Sequence, residues 1–263
     1  MTTKPSSAPW ADEPFHLIAT PSKTLDGSLG HVHGASEMAQ AHNAIIRGLN
    51  AIIQQAPYVP IATDEHFIAQ DVKDLLFYVQ SWVKMVHHHH WVEETYIFPD
   101  VEEFTGKPGF MDDPKHQHEL FHDGLERLLA YSSATKPEEY RWKGSGGMEE
   151  IINSFSKDLT DHLYAEIDLL LSMGDIDSDG LKRIWAKGEK AAKQTGNIAM
   201  FYDMFPLLLG CADKTYEGGC DFPPLPWVLP YVIKYWFAAG NGAWRFNSCD
   251  WWGQPKPLEF GPR

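Results

Sequence analysis

Seven side chains in this sequence are of types that bind transition metals: His42, His89, Glu93, His118, His122, His162 and Glu166. Three pairs among them, His89 with Glu93, His118 with His122, and His162 with Glu166, stand four residues apart. On a helix that step puts both side chains on one face, one turn apart. Neighbouring groups can then serve one ion, or a carboxylate can bridge two. Five imidazoles and two carboxylates exceed the needs of a single ion. Divided unequally between two irons, with both carboxylates and an oxo or hydroxo group bridging, they leave one position open for dioxygen or another small gas. Imidazole with carboxylate suits iron and manganese better than the thiolate-rich sets that zinc often takes.

The run His87 to His90 permits a second register, His90 with Glu94. Its face, through Leu76, Val83 and His87, is less continuously apolar, so the periodicity favours His89 and Glu93. His116 could replace His118, but it leaves the stripe that contains His122. His31 and His33 lie in the N-terminal arm and read as solvated or as substitute ligands.

Four amphipathic helices must position these groups. The first begins near Ser36, carries Ile45, Ile46, Leu49, Ile52 and Ile53 at three- and four-residue steps, and stops at Pro57. The second runs from Thr63 or Asp64 to about Phe98. One of its stripes reads Leu75, Val79, Trp82, Val86, His89, Glu93, Ile97, so an apolar face turns into His and Glu without changing direction. The third starts at Asp113-Pro114, with a stripe of His118, His122, Leu125 and Leu129. The fourth covers about Met148 to Met173 with the stripe Ile152, Phe155, Leu159, His162, Glu166, Leu170, and Gly174 is its stop. The fold expected is all-α: an antiparallel up-down four-helix bundle over residues 36–174, preceded by an arm at 1–35. A C-terminal extension at 175–263 begins with a fifth helix, Ser178 to Gln194, and continues irregularly. That extension carries Trp227, Trp236, Trp244, Trp251 and Trp252, half of the ten tryptophans. So many aromatics must pack on the bundle rather than hang in solvent.

The segments AHNAIIRGLN, HHHHWVEETYIFP, HQHELFHDGL and DHLYAEIDLLL resemble the helix motifs of hemerythrins and the HHE cation-binding domains. The resemblance covers roughly residues 36–173. It implies a hemerythrin-like bundle with a non-haem di-iron site held by the seven residues above. His89, Glu93 and Phe98-Pro99 match the second motif of that family. Two features depart from its oxygen-carrying type: Glu166 stands four residues after His162, where a longer step to Asp is usual, and the aromatic extension exceeds a minimal bundle.

Composition narrows the function further. Apolar residues at 43% and charged ones at 22% describe a globular chain. A net charge of -14 argues against nucleic acid and against anionic membrane surfaces. Cys211, Cys220 and Cys249 are odd in number and form no C-x-x-C, which favours a reducing compartment. Met1 to Ala11 has no apolar run of the signal-peptide kind, and Phe222 to Gly240 is broken by prolines, so a cytoplasmic protein is expected. Asp175, Asp177, Asp179 and Gly180 open like an EF-hand loop, but its twelfth position is Ala186, where a bidentate Glu is needed, so calcium is not expected. Three functions then compete. One is an iron protein binding dioxygen or another diatomic gas. Another is a di-iron oxygenase or oxidase acting on a small organic molecule enclosed by the extension. The third is a structural bundle whose histidines hold zinc or nothing.

Overall fold

The computed structural model describes residues 10–195 and 198–262. Among them the structure is all-helical, with no strand beyond an isolated bridge between Cys249 and Pro255. The main helices are α1 (Gly30–Gln55), α2 (Ala69–Val92), α3 (Phe98–Thr105), α4 (Asp112–Ala134), α5 (Met148–Asn153), α6 (Ser156–Leu171), α7 (Ser178–Gln194), α8 (Ile198–Tyr202) and α9 (Met204–Cys211). Contacts of α1 with α2, α2 with α4, α4 with α6, and α6 with α1 close a ring around one core. Leu49, Ile52, Val79, Trp82, Phe155 and Leu159 fill it, each essentially without exposure. No helix among the described residues is long and apolar enough to cross a membrane.

Several boundaries differ from the pattern in the sequence. The first helix begins at Gly30, earlier than its apolar stripe, because its opening turn seats on α7: Gly30 N–H donates to Ser178 Oγ at 2.7 Å. The second helix begins later than expected. Asp64 closes a turn, accepting from the Ile61 N–H at 2.8 Å, and helical backbone starts only at Ala69. That helix also does not end at Pro99. A π-helical turn, Glu93–Ile97, intervenes, and the Phe98 N–H bonds to the Glu93 carbonyl five residues back. The wider turn accommodates a proline that has no N–H to give and whose ring would crowd the carbonyl four residues behind it. The chain stays helical to Thr105 and stops at Gly106, whose φ of 63° is the left-handed cap. The fourth helix is broken at Ser154 and Phe155, where the buried Phe155 ring stacks on Trp82 at 6.3 Å. The fifth helix spans the residues expected, capped by Asp177, whose Oδ2 accepts from Gly180 N–H at 2.8 Å. The acidic tract there is therefore a helix start.

The first described residues and the C-terminal segment are both bound to the bundle. Asn43 holds the Ile18 backbone through bonds of 2.7 and 2.9 Å, and Asn50 holds Ala11 and Phe15. Buried Arg47 links Asp12, at 3.1 Å, to Asp213, at 3.3 Å. At the other end Arg245 pairs with Asp71 and Asp74 on α2, each at 2.8 Å. Leu207, Leu209 and Cys211 of α9 are buried where that helix lies on α1 and α2. The three cysteines are free.

Candidate metal centre

Inside the ring, imidazoles and carboxylates from four helices converge. His42, midway along α1, is fully buried; its Nε2 lies 3.0 Å from His89 Nε2 and 3.3 Å from Glu166 Oε2. His89 Nε2 is 2.9 Å from Glu93 Oε1. Across the core, Glu93 Oε2 is 3.7 Å from His118 Nε2, His118 Nε2 is 3.1 Å from His162 Nε2, and His162 Nε2 is 3.8 Å from Glu166 Oε2. Six of the seven residues singled out from the sequence are thus brought together.

His122 is not brought to this group. Beside Gly124, the buried side of α4 carries the side chains of Pro114, His118, Phe121, Leu125, Leu128 and Ser132. That stripe steps 4, 3, 4, 3, 4 and passes through Phe121, leaving His122 exposed. The Phe121 ring occupies the place expected for His122 and lies 5.1–5.8 Å from the rings of His90, His118 and His162. His122 meets His87 and Glu126 on the outer face of α2 and α4, with the His87 and His122 rings 5.8 Å apart. His116 is exposed beside Glu119.

His90 takes the remaining inner place. Its ring is 4.2 Å from that of His118 and 5.4 Å from that of His162, and the residue is 7% exposed. Adjacent helical residues differ by about 100° in direction. His89 therefore turns toward α1 while His90 turns toward α4 and α6. Glu94 does not follow His90 inward; it is half-exposed and receives the Nδ1–H of His118 at 2.5 Å. The signal for His90 was present in the consecutive histidines, but following one stripe allows only one of them to count.

Whether the donor set fits a cation depends on where its protons sit. His42 Nδ1 faces the Leu163 carbonyl at 2.9 Å, His118 Nδ1 faces the Glu94 carboxylate, and His162 Nδ1 faces Gln117 Oε1 at 3.0 Å. Those oxygens accept, so each Nδ1 carries the proton and each Nε2 presents a lone pair. The Nε2 atoms of His118 and His162 then oppose one another with no proton between them. The four carboxylate oxygens of Glu93 and Glu166 and His90 Nε2 are buried without a hydrogen bond. His89 approaches Glu93 closely but without hydrogen-bond alignment. Buried polar atoms are ordinarily paired. Five unpaired acceptor atoms converging in one buried cluster are what a cation site requires. Two overlapping groups could each hold an ion: His42, His89 and Glu93, and His90, Glu93, His118 and His162. Glu93 belongs to both, and Glu166 lies against His42 of one and His162 of the other.

Burial also sets the protonation. It pushes the imidazoles of His42, His90 and His162 well below their ordinary 6.5, and that of His89 to about 4. It raises the carboxyl of Glu93 well above 4.5, helped by Glu166 and Glu94, and raises that of Glu166. The imidazoles are therefore ready to ligate, and the protons a metal must displace sit on the carboxyls. Zinc binding to metal-free protein at pH 6 should release protons, the release shrinking and the affinity rising as the pH climbs through the raised carboxyl range. Calorimetry in buffers of different ionisation heat measures this. No release at pH 6 would mean the two carboxyls are already ionised.

A cavity of about 310 Å³ lies beside this group, bounded by α1, α2, α7, α8, α9 and residues 222–225. Of the inner residues, His89 and Glu93 border it, and the His89 side chain is 16% exposed. On the opposite side Phe98, at 5.8 Å from His118, and Phe121 close the core.

Fold and site together define a helical protein with a buried cluster of imidazoles and carboxylates that could hold a metal ion. The model of the hemerythrin HHE cation binding domain matches residues 33–173, and the chain belongs to that family. It is also 39% identical over 258 residues to the dimeric xanthone biosynthesis cluster protein R11 of Cryptosporiopsis sp. (strain 8999). That match covers 96% of this chain and 94% of the relative. No solved structure matches the chain.

Proposed function

We propose that this protein is a non-haem di-iron oxidoreductase that uses dioxygen to oxidise a small organic molecule held in the cavity beside His89. In this reading α1, α2, α4 and α6 form the antiparallel up-down bundle. His42, His89, His90, His118 and His162 hold two irons with Glu93 and Glu166 shared between them. That is the five-histidine, two-glutamate set expected from the sequence, with His90 in place of His122. Iron is favoured by the nitrogen- and oxygen-only donors. Bound there, the irons would supply the capacity to bind and reduce dioxygen. The protein's own part is to hold the ligands, keep the far side dry through Phe98 and Phe121, and present one edge of the site to a substrate.

The observation that carries the reading is the cavity. A gas needs no apolar chamber of this size, and its outer wall comes from α7 and the segment after it rather than from the bundle. Pockets of this kind are the usual seats of small ligands. The relative named for a dimeric xanthone biosynthesis cluster agrees with a role in small-molecule chemistry. Cytoplasmic placement is part of the proposal and fits three free cysteines.

The test is dioxygen uptake by ferrous-loaded protein with and without a panel of phenolic aromatics. Loading with about two irons per chain, and uptake that rises with one or more aromatics and yields an oxidised product, is the result expected. A stable oxygen adduct that vacuum reverses, with no aromatic consumed, would replace this reading with that of a gas-binding protein. Retention of zinc alone, or of no metal, would remove both.

A further inference from the structure

His122, turned out of the inner group, meets other metal-binding side chains on the outer face. Its ring lies 5.8 Å from that of His87 on α2, nearly perpendicular at 72°. Glu126 stands four residues after His122, so α4 presents the two on one side. His87 Nε2 is 3.1 Å from Glu126 Oε1. One ligand atom from each of the three residues lies within 4.8 Å of the other two. Ligand atoms on one tetrahedral zinc ion stand roughly 3.4 Å apart. His122 is exposed and the Glu126 side chain is 52% exposed, so rotation of these two closes the difference.

His87 is the fixed member. Its Nε2 is shielded from water and has no aligned hydrogen bond. The carboxylate beside it, Glu126, is mobile enough to admit an ion and then ligate it. Lys84, one turn before His87, is committed to Asp203 at 2.9 Å, so its ammonium is not spent on Glu126. The position relative to the inner centre is regular. His87 precedes His90 by three residues, and His122 follows His118 by four. The same two helices therefore present one histidine pair inward and another outward, a turn away.

We propose that His87, His122 and Glu126 form an outer cation site that takes a zinc-class divalent ion and clamps α2 to α4. Two imidazoles, one carboxylate and a water complete a four-coordinate zinc set. The nitrogens disfavour calcium and magnesium, which take oxygen ligands. The site does not depend on the proposed function or on which ions the inner centre holds. Being open to solvent, it exchanges its ion, and a chelator that the inner centre resists strips it.

The experiment is equilibrium dialysis of the full-length, metal-loaded protein against free zinc at neutral pH. One further zinc ion per chain should bind reversibly, and millimolar calcium or magnesium should not displace it. His122→Asn and Glu126→Gln should each weaken that ion more than about 10-fold and leave the inner ions in place. His116→Asn, at the exposed pair with Glu119 on the same helix, should change it by less than about 2-fold. Both test substitutions are at solvent-facing positions, and the parent stoichiometry needs no variant. The clamp is read separately. Free zinc at about 100 times its dissociation constant should raise the Tm of the parent by about 5 °C and that of either test variant by much less. No further ion, an ion that survives both substitutions, one lost equally in His116→Asn, or one displaced by calcium would each overturn the site. An ion bound without the rise in Tm would overturn the clamp.

Discussion

Glu93→Gln and Glu166→Gln should each lose both metal ions and should each give a metal-free protein more stable than the parent. The first half follows from sharing. Glu93 belongs to both candidate ion positions, and Glu166 lies against a histidine of each. Removing either charge weakens the two positions together, by more than about 100-fold in affinity, since even indirect partners of metal ligands are worth 10- to 100-fold. The second half follows from burial. Both carboxyls have pKa values raised by burial. A carboxyl raised on folding costs stability once the pH passes its unfolded value near 4.5, because the unfolded chain ionises it more readily. The metal-free parent bears that cost at neutral pH, and a glutamine does not. A gain of about 1–3 kcal/mol per substitution is expected, read by urea denaturation beside metal analysis. One ion retained would show that the altered carboxylate serves a single position. A less stable metal-free variant would show that the carboxylates have stabilising partners.

His90→Ala and His122→Ala should differ sharply. His90 is buried among His118, His162 and Phe121, and its removal should cost one position more than about 100-fold in affinity. His122 is exposed beside His87, and its removal should change metal content by less than about 2-fold. Competition against a chelator of known affinity separates the two. The opposite ranking would mean that α4 is turned about its axis so that His122 faces the core.

How much of this was legible in the sequence depends on which interactions decided each part. The span of helix α7, Ser178 to Gln194, was readable because its start and stop signals lie in one local stretch. His42, His89, Glu93, His162 and Glu166 were readable because each continues an apolar stripe of its own helix. The choice between His122 and Phe121 was not. Both lie within a turn of His118 on the same side of α4, and the partner that settles it, the packing of Phe121 on rings from α2 and α6, belongs to other helices. His90 was obscured by treating each helix face as one residue wide, when a core-facing stripe spans 100° or more. The early start of α1 and the cavity were illegible for a further reason. Gly30 and Gly34 have no side chain to mark a face, and their meaning comes from Ser178 and Trp185, far along the chain.

The π-helical turn Glu93–Ile97 makes chain length, rather than residue identity, the sensitive variable at that point. An extra residue in a helix advances everything after it by about 100°. Helix α2 before the turn is phased to the core ring, whereas α3 after it is phased so that Phe98 and Val101 are buried and Pro99 is accommodated. Substitutions at Thr95 or Tyr96 leave both phases intact. Deleting one residue between them would restore an unbroken helix and force a choice: either Glu93 keeps its place beside His89, or Phe98 keeps its place beside His118. Natural relatives that lack the bulge must therefore carry compensating changes on one side of it. A one-residue gap there would mark the boundary between two independently phased segments of what reads as a single helix.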